Sequence, residues 1–106
     1  MWKIEIIDAA QADLRKLDNS ARQQVYRAID KVAQNPQPKN EGGYGEPLGN
    51  KGSLDLRGYL KIKLRASGIR VVYRVEEIDG IMRIIIVGAR SDDEVYRLAV
   101  QRIQNL

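Results

Sequence analysis

Alternation of apolar and basic residues, clearest over Leu60–Arg65, marks the stretch Tyr59–Arg74 as two β-strands joined by a tight turn. A strand has a side-chain period of two, so the two kinds of residue point to opposite faces. Ser67-Gly68 is a turn signal, and the chain returns over Ile69–Val75. The pattern predicts a hairpin with one buried face and one basic face. The basic face carries Lys61, Lys63 and Arg65 on the first strand and Arg70 and Arg74 on the second.

The residues before this hairpin predict one strand and two helices. Alternation over Trp2–Ile7 indicates a strand. Asp8 is expected to cap a short helix that runs to about Leu17. Apolar residues at helical spacing predict a second helix from about Ala21 to Gln34, with Asp18-Asn19-Ser20 as the break and cap between the two.

The residues after the hairpin predict a last strand and a last helix. Met82–Ala89 is apolar on both faces, which is typical of a central strand, and the first strand is expected to pair with its free side. Ser91 and Glu94 match a capping box, so the final helix is expected to begin there and to run to about Gln104.

These elements predict a small α+β fold in a single domain of 106 residues, in the order β-α-α-β-β-β-α. We expect an antiparallel-rich twisted sheet, with the helices packed on one face and the other face open and basic. Residues 36–58 contain all three prolines and six of the nine glycines. This segment is predicted to be a long Gly/Pro-rich loop, and its role stays open.

The composition limits the classes of function that this chain can have. The net charge is +4, and residues 56–75 hold six basic residues and no acidic one, which suits a polyanionic partner. The absence of Cys excludes a disulfide scaffold, and the absence of His removes the usual general base and the commonest metal ligand. We see no signal-peptide pattern and no apolar run that could span a membrane, so a cytoplasmic protein is expected.

Two further residues are placed to join the basic face. Arg90 closes the last strand, and Tyr96 lies near the start of the last helix, beside its apolar stripe. Each candidate also has a purely structural interpretation. The lysines could form a solvated face, Arg70 and Arg74 could pair with Glu76 or Glu77, Arg90 could pair with Asp92 or Asp93, and Tyr96 could be core.

The runs YLKIKLRASGIRVVYRV and IIIVGARSDDEVYRLAVQRI closely resemble the RelE-type toxins of bacterial toxin–antitoxin pairs. The resemblance covers Tyr59 to Ile103, and the first 35 residues fit it by element order. It implies a ribosome-dependent endoribonuclease that cuts mRNA in the ribosomal A site with basic residues and a tyrosine. Residues 36–58 form a longer loop than is usual in that family. Carried over by position, the catalytic set is Lys61, Lys63, Arg70, Arg90 and Tyr96, with Arg65 and Arg74 as RNA contacts.

The resemblance also implies partners and a reaction. The partners would be a RelB-like antitoxin and the ribosome, including its RNA, and no metal or cofactor is implied. The 2′-hydroxyl would attack the adjacent phosphate. Lys63 is the expected base because neighbouring cations disfavour the charged form of an amine. Arg90 would act on the side of the leaving group, and Lys61 and Arg70 would clamp the phosphate. Tyr96 would stack on or orient a nucleobase.

Two alternatives from other classes stay open. Related ParE-like toxins poison DNA gyrase without cutting RNA, and they are expected to lack this set of Lys, Arg and Tyr residues. A non-catalytic RNA-binding module would keep the basic face and its salt-dependent binding but would perform no reaction.

Overall fold

A five-stranded mixed sheet organises the part of the chain that this computed structural model describes, residues 2–51, 54–89 and 91–106. Its strand order is β1-β5-β4-β3-β2. The first strand pairs with the last, as predicted, and the structure shows that this pairing is parallel, while the other neighbours are antiparallel. The strands are β1 (Lys3–Ile6), β2 (Glu46–Lys51), β3 (Leu54–Leu64), β4 (Ile69–Glu76) and β5 (Ile81–Gly88).

Two helices lie between the first and second strands, and a third helix follows the last strand. They are α1 (Asp8–Arg15), α2 (Asn19–Val32) and α3 (Asp92–Gln104), with a short 3-10 turn at Lys39–Glu41. The α+β class is confirmed. No helix in the described part of the chain is long and apolar enough to cross a membrane.

Caps set the helix boundaries. The Asp18 carboxylate accepts a hydrogen bond from the Ala21 backbone at 2.8 Å, and Ser91 caps α3 through Glu94, as predicted. The predicted cap of α1 is wrong by one residue. Ile7 occupies the cap position without a side-chain bond, and Asp8 is the first helical residue.

The placement of the helices differs from the sequence prediction, because they cover both faces of the sheet. The helices α1 and α2 pack on one face against residues such as Val71 and Tyr73 of β4. The last helix packs on the opposite face, where Val72, Ile85 and Ile86 lie against Val95. A central sheet with apolar residues on both faces needs cover on both, so α3 is drawn to the basic face.

The segment 36–58 was predicted to be a loop, but it contains an edge strand. Strand β2 pairs with β3, and the register shifts between Pro47 and Gly49. Gly58 has a φ of 86° within the facing stretch of β3, where the ladder bulges. Proline is tolerated in a sheet at an edge strand or a bulge, and β2 is an edge strand. The prolines and glycines of this segment are typical of loops, so the composition predicted a loop instead of a strand.

A buried tyrosine fixes the chain before β2. Tyr73 is fully buried, and its hydroxyl donates a 2.9 Å hydrogen bond to the Pro36 carbonyl. Burial raises the pKa of this phenol, so it stays a donor at ordinary pH. A β-carbon at Gly45 would overlap the Tyr73 hydroxyl and the Leu60 side chain, so the backbone at Gly45 lies directly on the core.

A partly buried ion pair joins the two helix layers across the end of the sheet. Arg102 of α3 contacts both carboxylate oxygens of Asp13 in α1, at 2.6 and 3.0 Å. The same carboxylate accepts from the Val87 backbone at 3.0 Å, and Arg102 also donates to the Ile85 carbonyl at 3.1 Å. The pair therefore fixes α3 relative to β5 and α1.

Replacing Tyr73 with phenylalanine tests the anchor before β2. The Tyr73→Phe change keeps the ring but leaves the buried Pro36 carbonyl without its donor, so we expect a loss of about 1–2 kcal/mol in the free energy of unfolding. Urea denaturation measures it. Tyr26→Phe, at an exposed position of α2, is the control and should change little. Equal effects of the two changes would contradict the anchoring role.

Candidate active site

The basic face of the β3–β4 hairpin lies on the same side of the sheet as α3. Lys61 stands opposite Val72, a member of the core beneath α3, and Lys63 stands opposite Arg70. Directly opposed residues of an antiparallel pair point to one face, with β-carbons about 4.5–5.5 Å apart. The structure therefore brings three of the predicted catalytic residues together: Lys61, Lys63 and Arg70.

Tyr96 joins them from α3. The residue is 4% exposed, and its ring packs in the core between α3 and the sheet. The Lys61 amino group donates a hydrogen bond to the Tyr96 hydroxyl at 3.2 Å and lies 5.9 Å from the ring centroid. Both interpretations of Tyr96 apply, since the ring is core and the hydroxyl reaches the basic face.

This geometry bears on the role predicted for Tyr96. Stacking on a nucleobase needs an exposed ring face, and Tyr96 is buried. The contact that the structure gives it is with the Lys61 amino group. Tyr96 is therefore placed to orient Lys61, which a flexible four-carbon stem would otherwise leave mobile.

Arg70 is held at the turn end of the hairpin. Its side chain is half-buried, and its guanidinium donates to the Gly68 carbonyl at 2.9 Å. Lys63 across the ladder is exposed. The Arg70 guanidinium therefore has a contact within the turn, whereas Lys63 is open to solvent, and the two cations lie side by side on one face.

A cleft of about 600 Å³ lies along this face. Part of its lining comes from β3 and the turn after it, through Ile62 and the cations Lys61, Lys63 and Arg65, and these three cations are called the floor below. The rest of the lining, called the wall below, comes from the segment predicted as a loop, through Lys39, Tyr44 and Glu46. Among the charged side chains that line the cleft, four are cations and one is a carboxylate, so it attracts anions.

Sequence reasoning missed the residues of this wall. Glu46 stands directly opposite Lys61 in the β2–β3 ladder and therefore points to the same face. No alternation in the sequence points to Glu46, because residues two apart in a regular strand share a face and the register shifts between Pro47 and Gly49. The prolines and glycines nearby are typical of loops and hid the strand.

Arg74 lies outside the cleft, in a ladder of charges further along the sheet. Its guanidinium lies 3.3 Å from Glu76 and 5.9 Å from the centroid of the Tyr59 ring. Glu76 also pairs with Arg83, which reaches Glu5 of β1 at 3.0 Å. The hydrogen bond to Glu5 raises the pKa of Arg83. The pairing of Arg74 with Glu76 that the sequence suggested is therefore present, within β4 and not across strands, and the contact of Arg74 with RNA stays a prediction.

Two other arginines are placed differently. Arg90 lies outside the described residues, so its catalytic role stays a prediction from the sequence. Arg57 pairs with Asp55 at 2.9 Å on an exposed part of β3. The hydrogen bond from Arg57 lowers the pKa of Asp55 to about 2.

Comparison with known proteins gives the same family from sequence and from structure. Residues 4–94 match the family model of the ParE toxin of the type II toxin–antitoxin system parDE. The mRNA interferase toxin RelE of Escherichia coli strain K12 is 32% identical over 100 residues, which cover 94% of this chain and 95% of that protein. Among solved structures, the isolated E. coli RelE toxin superposes with a TM-score of 0.70 at 29% identity, covering 97% of this chain and 99% of the other.

A second similar structure holds a partner. The toxin chain in the intact E. coli RelBE toxin–antitoxin complex superposes with a TM-score of 0.66 at 25% identity, covering 86% of this chain and 99% of that one. The fold and the matches define a toxin of a type II toxin–antitoxin system. The chain belongs to the RelE/ParE family of these toxins, and its relatives above 30% identity are of the RelE type.

Two substitutions at Tyr96 separate its ring from its hydroxyl. Tyr96→Phe keeps the buried ring and removes the contact with Lys61, so the free energy of unfolding should change by no more than about 1 kcal/mol. Tyr96→Ala empties a core position and should cost about 3–5 kcal/mol. Denaturant titration measures both. Equal losses would mean that the hydroxyl, and not the ring, holds α3 in place.

Proposed function

We propose that this chain is an mRNA interferase, an endoribonuclease that cleaves mRNA in the A site of the ribosome. The observation that carries the proposal is the joining of Lys61, Lys63 and Arg70 on one sheet face, with the Tyr96 hydroxyl on the Lys61 amino group. The relative from E. coli K12, the mRNA interferase toxin RelE, supports the same activity.

The reaction needs only amino-acid side chains. The 2′-oxygen of the nucleotide attacks the adjacent phosphorus, a P–O2′ bond forms, and the P–O5′ bond breaks. The proton of the 2′-hydroxyl passes to Lys63 as the base. The 5′-oxygen leaves and takes up a proton from water, and Arg90 is proposed to stabilise the negative charge that develops on it. The product keeps a 2′,3′-cyclic phosphate, and no oxidant or reductant takes part.

Lys61 and Arg70 stabilise the transition state in this mechanism. Negative charge builds on the non-bridging oxygens of the phosphorane, and preorganised cations are strong electrostatic catalysts there. Arg70 is tied to the Gly68 carbonyl and Lys61 to the Tyr96 hydroxyl, so neither has to reorganise during the reaction. Tyr96 acts as a positioning residue for Lys61.

The open form of the cleft favours dependence on the ribosome. Its floor of Lys61, Lys63 and Arg65 binds phosphates irrespective of the base, and phosphate contacts position a nucleic acid without specifying its sequence. In-line attack needs a splayed, oriented strand. We assign that orientation to the A site, with the cleft supplying the chemistry.

An antitoxin partner follows from the same family. A relative of this toxin forms the E. coli RelBE toxin–antitoxin complex. We propose that a RelB-like antitoxin binds this chain and blocks or distorts the basic face. The pair is expected to act in the cytoplasm, where translating ribosomes are found.

Primer extension on a reporter mRNA, in a purified translation mixture with and without ribosomes, tests the proposed activity. The wild-type protein should cut inside codons only when ribosomes are present. Lys61→Ala should lower the cleavage rate by roughly a hundred-fold, because removal of one preorganised donor costs about two to three orders of magnitude. Lys31→Ala, at an exposed position of α2, is the matched control and should cut normally.

The outcomes separate the alternatives. Cuts that persist without ribosomes would contradict the ribosome-dependent form of the proposal. If no lane shows cuts and translation runs normally, the gyrase-inhibiting function of ParE-like toxins becomes the better account, and a DNA supercoiling assay decides it. Binding of RNA without any cleavage would indicate a non-catalytic binding module.

Lys63→Arg tests the general base. Arginine keeps the positive charge and cannot release its proton, so affinity for programmed ribosomes should stay within about two-fold while cleavage is lost. Ribosome co-sedimentation measures the binding and single-turnover primer extension the chemistry. Lys31→Arg is the control for the exchange itself. Intact cleavage by Lys63→Arg would exclude Lys63 as the base.

A further inference from the structure

The segment 39–46 supplies the wall of the cleft, which the proposed chemistry does not use. Tyr44 lines the cleft and is 50% exposed, one of the large hydrophobic side chains that the described surface leaves open to solvent. An exposed aromatic ring beside several cations is the usual arrangement for binding single-stranded nucleic acid.

The position of Tyr44 is fixed although the segment has little regular structure. The Tyr44 backbone donates to the Asn35 carbonyl at 2.9 Å, and the Lys39 backbone donates to the Gly45 carbonyl at 2.8 Å. Gly45 lies directly against the Tyr73 hydroxyl, which is itself bonded to Pro36. The tyrosine is therefore presented from a rigid support, so little entropy is lost when a ligand binds to it.

Floor and wall differ in charge. The floor carries three cations, Lys61, Lys63 and Arg65, and suits phosphate groups. On the wall, the charges of Lys39 and Glu46 cancel, and Tyr44 offers an uncharged ring. A volume of about 600 Å³ lies within the range of small-ligand sites, and it has room for a nucleotide placed with its phosphate on the floor and its base on the wall.

We propose that Tyr44 stacks on the base of an mRNA nucleotide next to the scissile phosphate. The inference rests on the proposed function and adds the contact that holds this nucleotide in the cleft. Stacking is tolerant of base identity because every base has a π-face. Tyr44 thus contributes affinity for the strand, whereas the floor contributes the reaction.

The test compares three variants on ribosome-bound mRNA in single turnover. Tyr44→Ala should raise the toxin concentration for half-maximal cleavage by roughly ten-fold, in line with the loss of one stacked base, and leave the maximal rate within about two-fold. Tyr44→Phe keeps the ring and should behave as wild type. Tyr26→Ala is the matched control, since Tyr26 is 40% exposed but lies on α2, which packs on the other face. Circular dichroism melts check the folding of all three.

An abasic nucleotide placed in turn at each position around the cut identifies the partner base. At the stacked position the abasic mRNA should weaken wild type by roughly ten-fold and Tyr44→Ala hardly at all, because each change removes the same contact. If abasic changes weaken both proteins equally at every position, Tyr44 does not stack on mRNA.

Each remaining outcome also decides the matter. If wild type cleaves and Tyr44→Ala matches Tyr26→Ala, the inference fails and the proposed function stands. If Tyr44→Ala cleaves normally but loses affinity for the antitoxin, the wall is a protein-docking surface and the inference is overturned. If wild type does not cleave ribosome-bound mRNA at all, the proposed function fails and this inference fails with it.

Discussion

The apolar residues on both faces of the central strands are the constraint on which the site depends. Val71 and Tyr73 face α1 and α2, whereas Val72, Ile85 and Ile86 face the other way and need a cover of their own. The last helix provides that cover. It therefore lies on the face that carries the cations, and Tyr96 meets Lys61 as a consequence of core packing.

The site thus joins a rigid half and an adaptable half. Tyr96, Lys61 and Arg70 have defined contacts with the core or the turn, while Lys63 and Arg65 are exposed. Preorganised groups can stabilise developing charge without moving. Exposed side chains can change conformation to contact a bound ligand. The Asp13–Arg102 pair extends the rigid half, since it fixes α3 to α1 and β5.

The sequence was sufficient for the parts of the fold that follow a clear period. The β3–β4 hairpin, the pairing of β1 with β5 and the cap at Ser91 were predicted from alternation, apolar runs and capping residues. Strand β2 was missed because Pro47 and the nearby glycines are typical of loops, and the pairing that makes it a strand involves distant residues. The sequence also could not predict which face of the sheet α3 covers, because a local pattern predicts an amphipathic helix but not its side of the sheet. Lys61 and Tyr96 were expected to converge. Their hydrogen bond and the wall with Tyr44 and Glu46 were not predicted, because both depend on contacts between distant segments.

The parallel pairing of β1 with β5 also has a consequence for the synthesis of the toxin. Lys3 pairs with Ile81, so the N-terminal strand has no neighbour until most of the chain has left the ribosome. Tyr96 follows later still, on the helix that completes the second core. Contacts between such distant residues form late in folding. The nascent chain therefore contains Lys61 before it contains Tyr96, the residue that orients it. The site can form only near the end of translation.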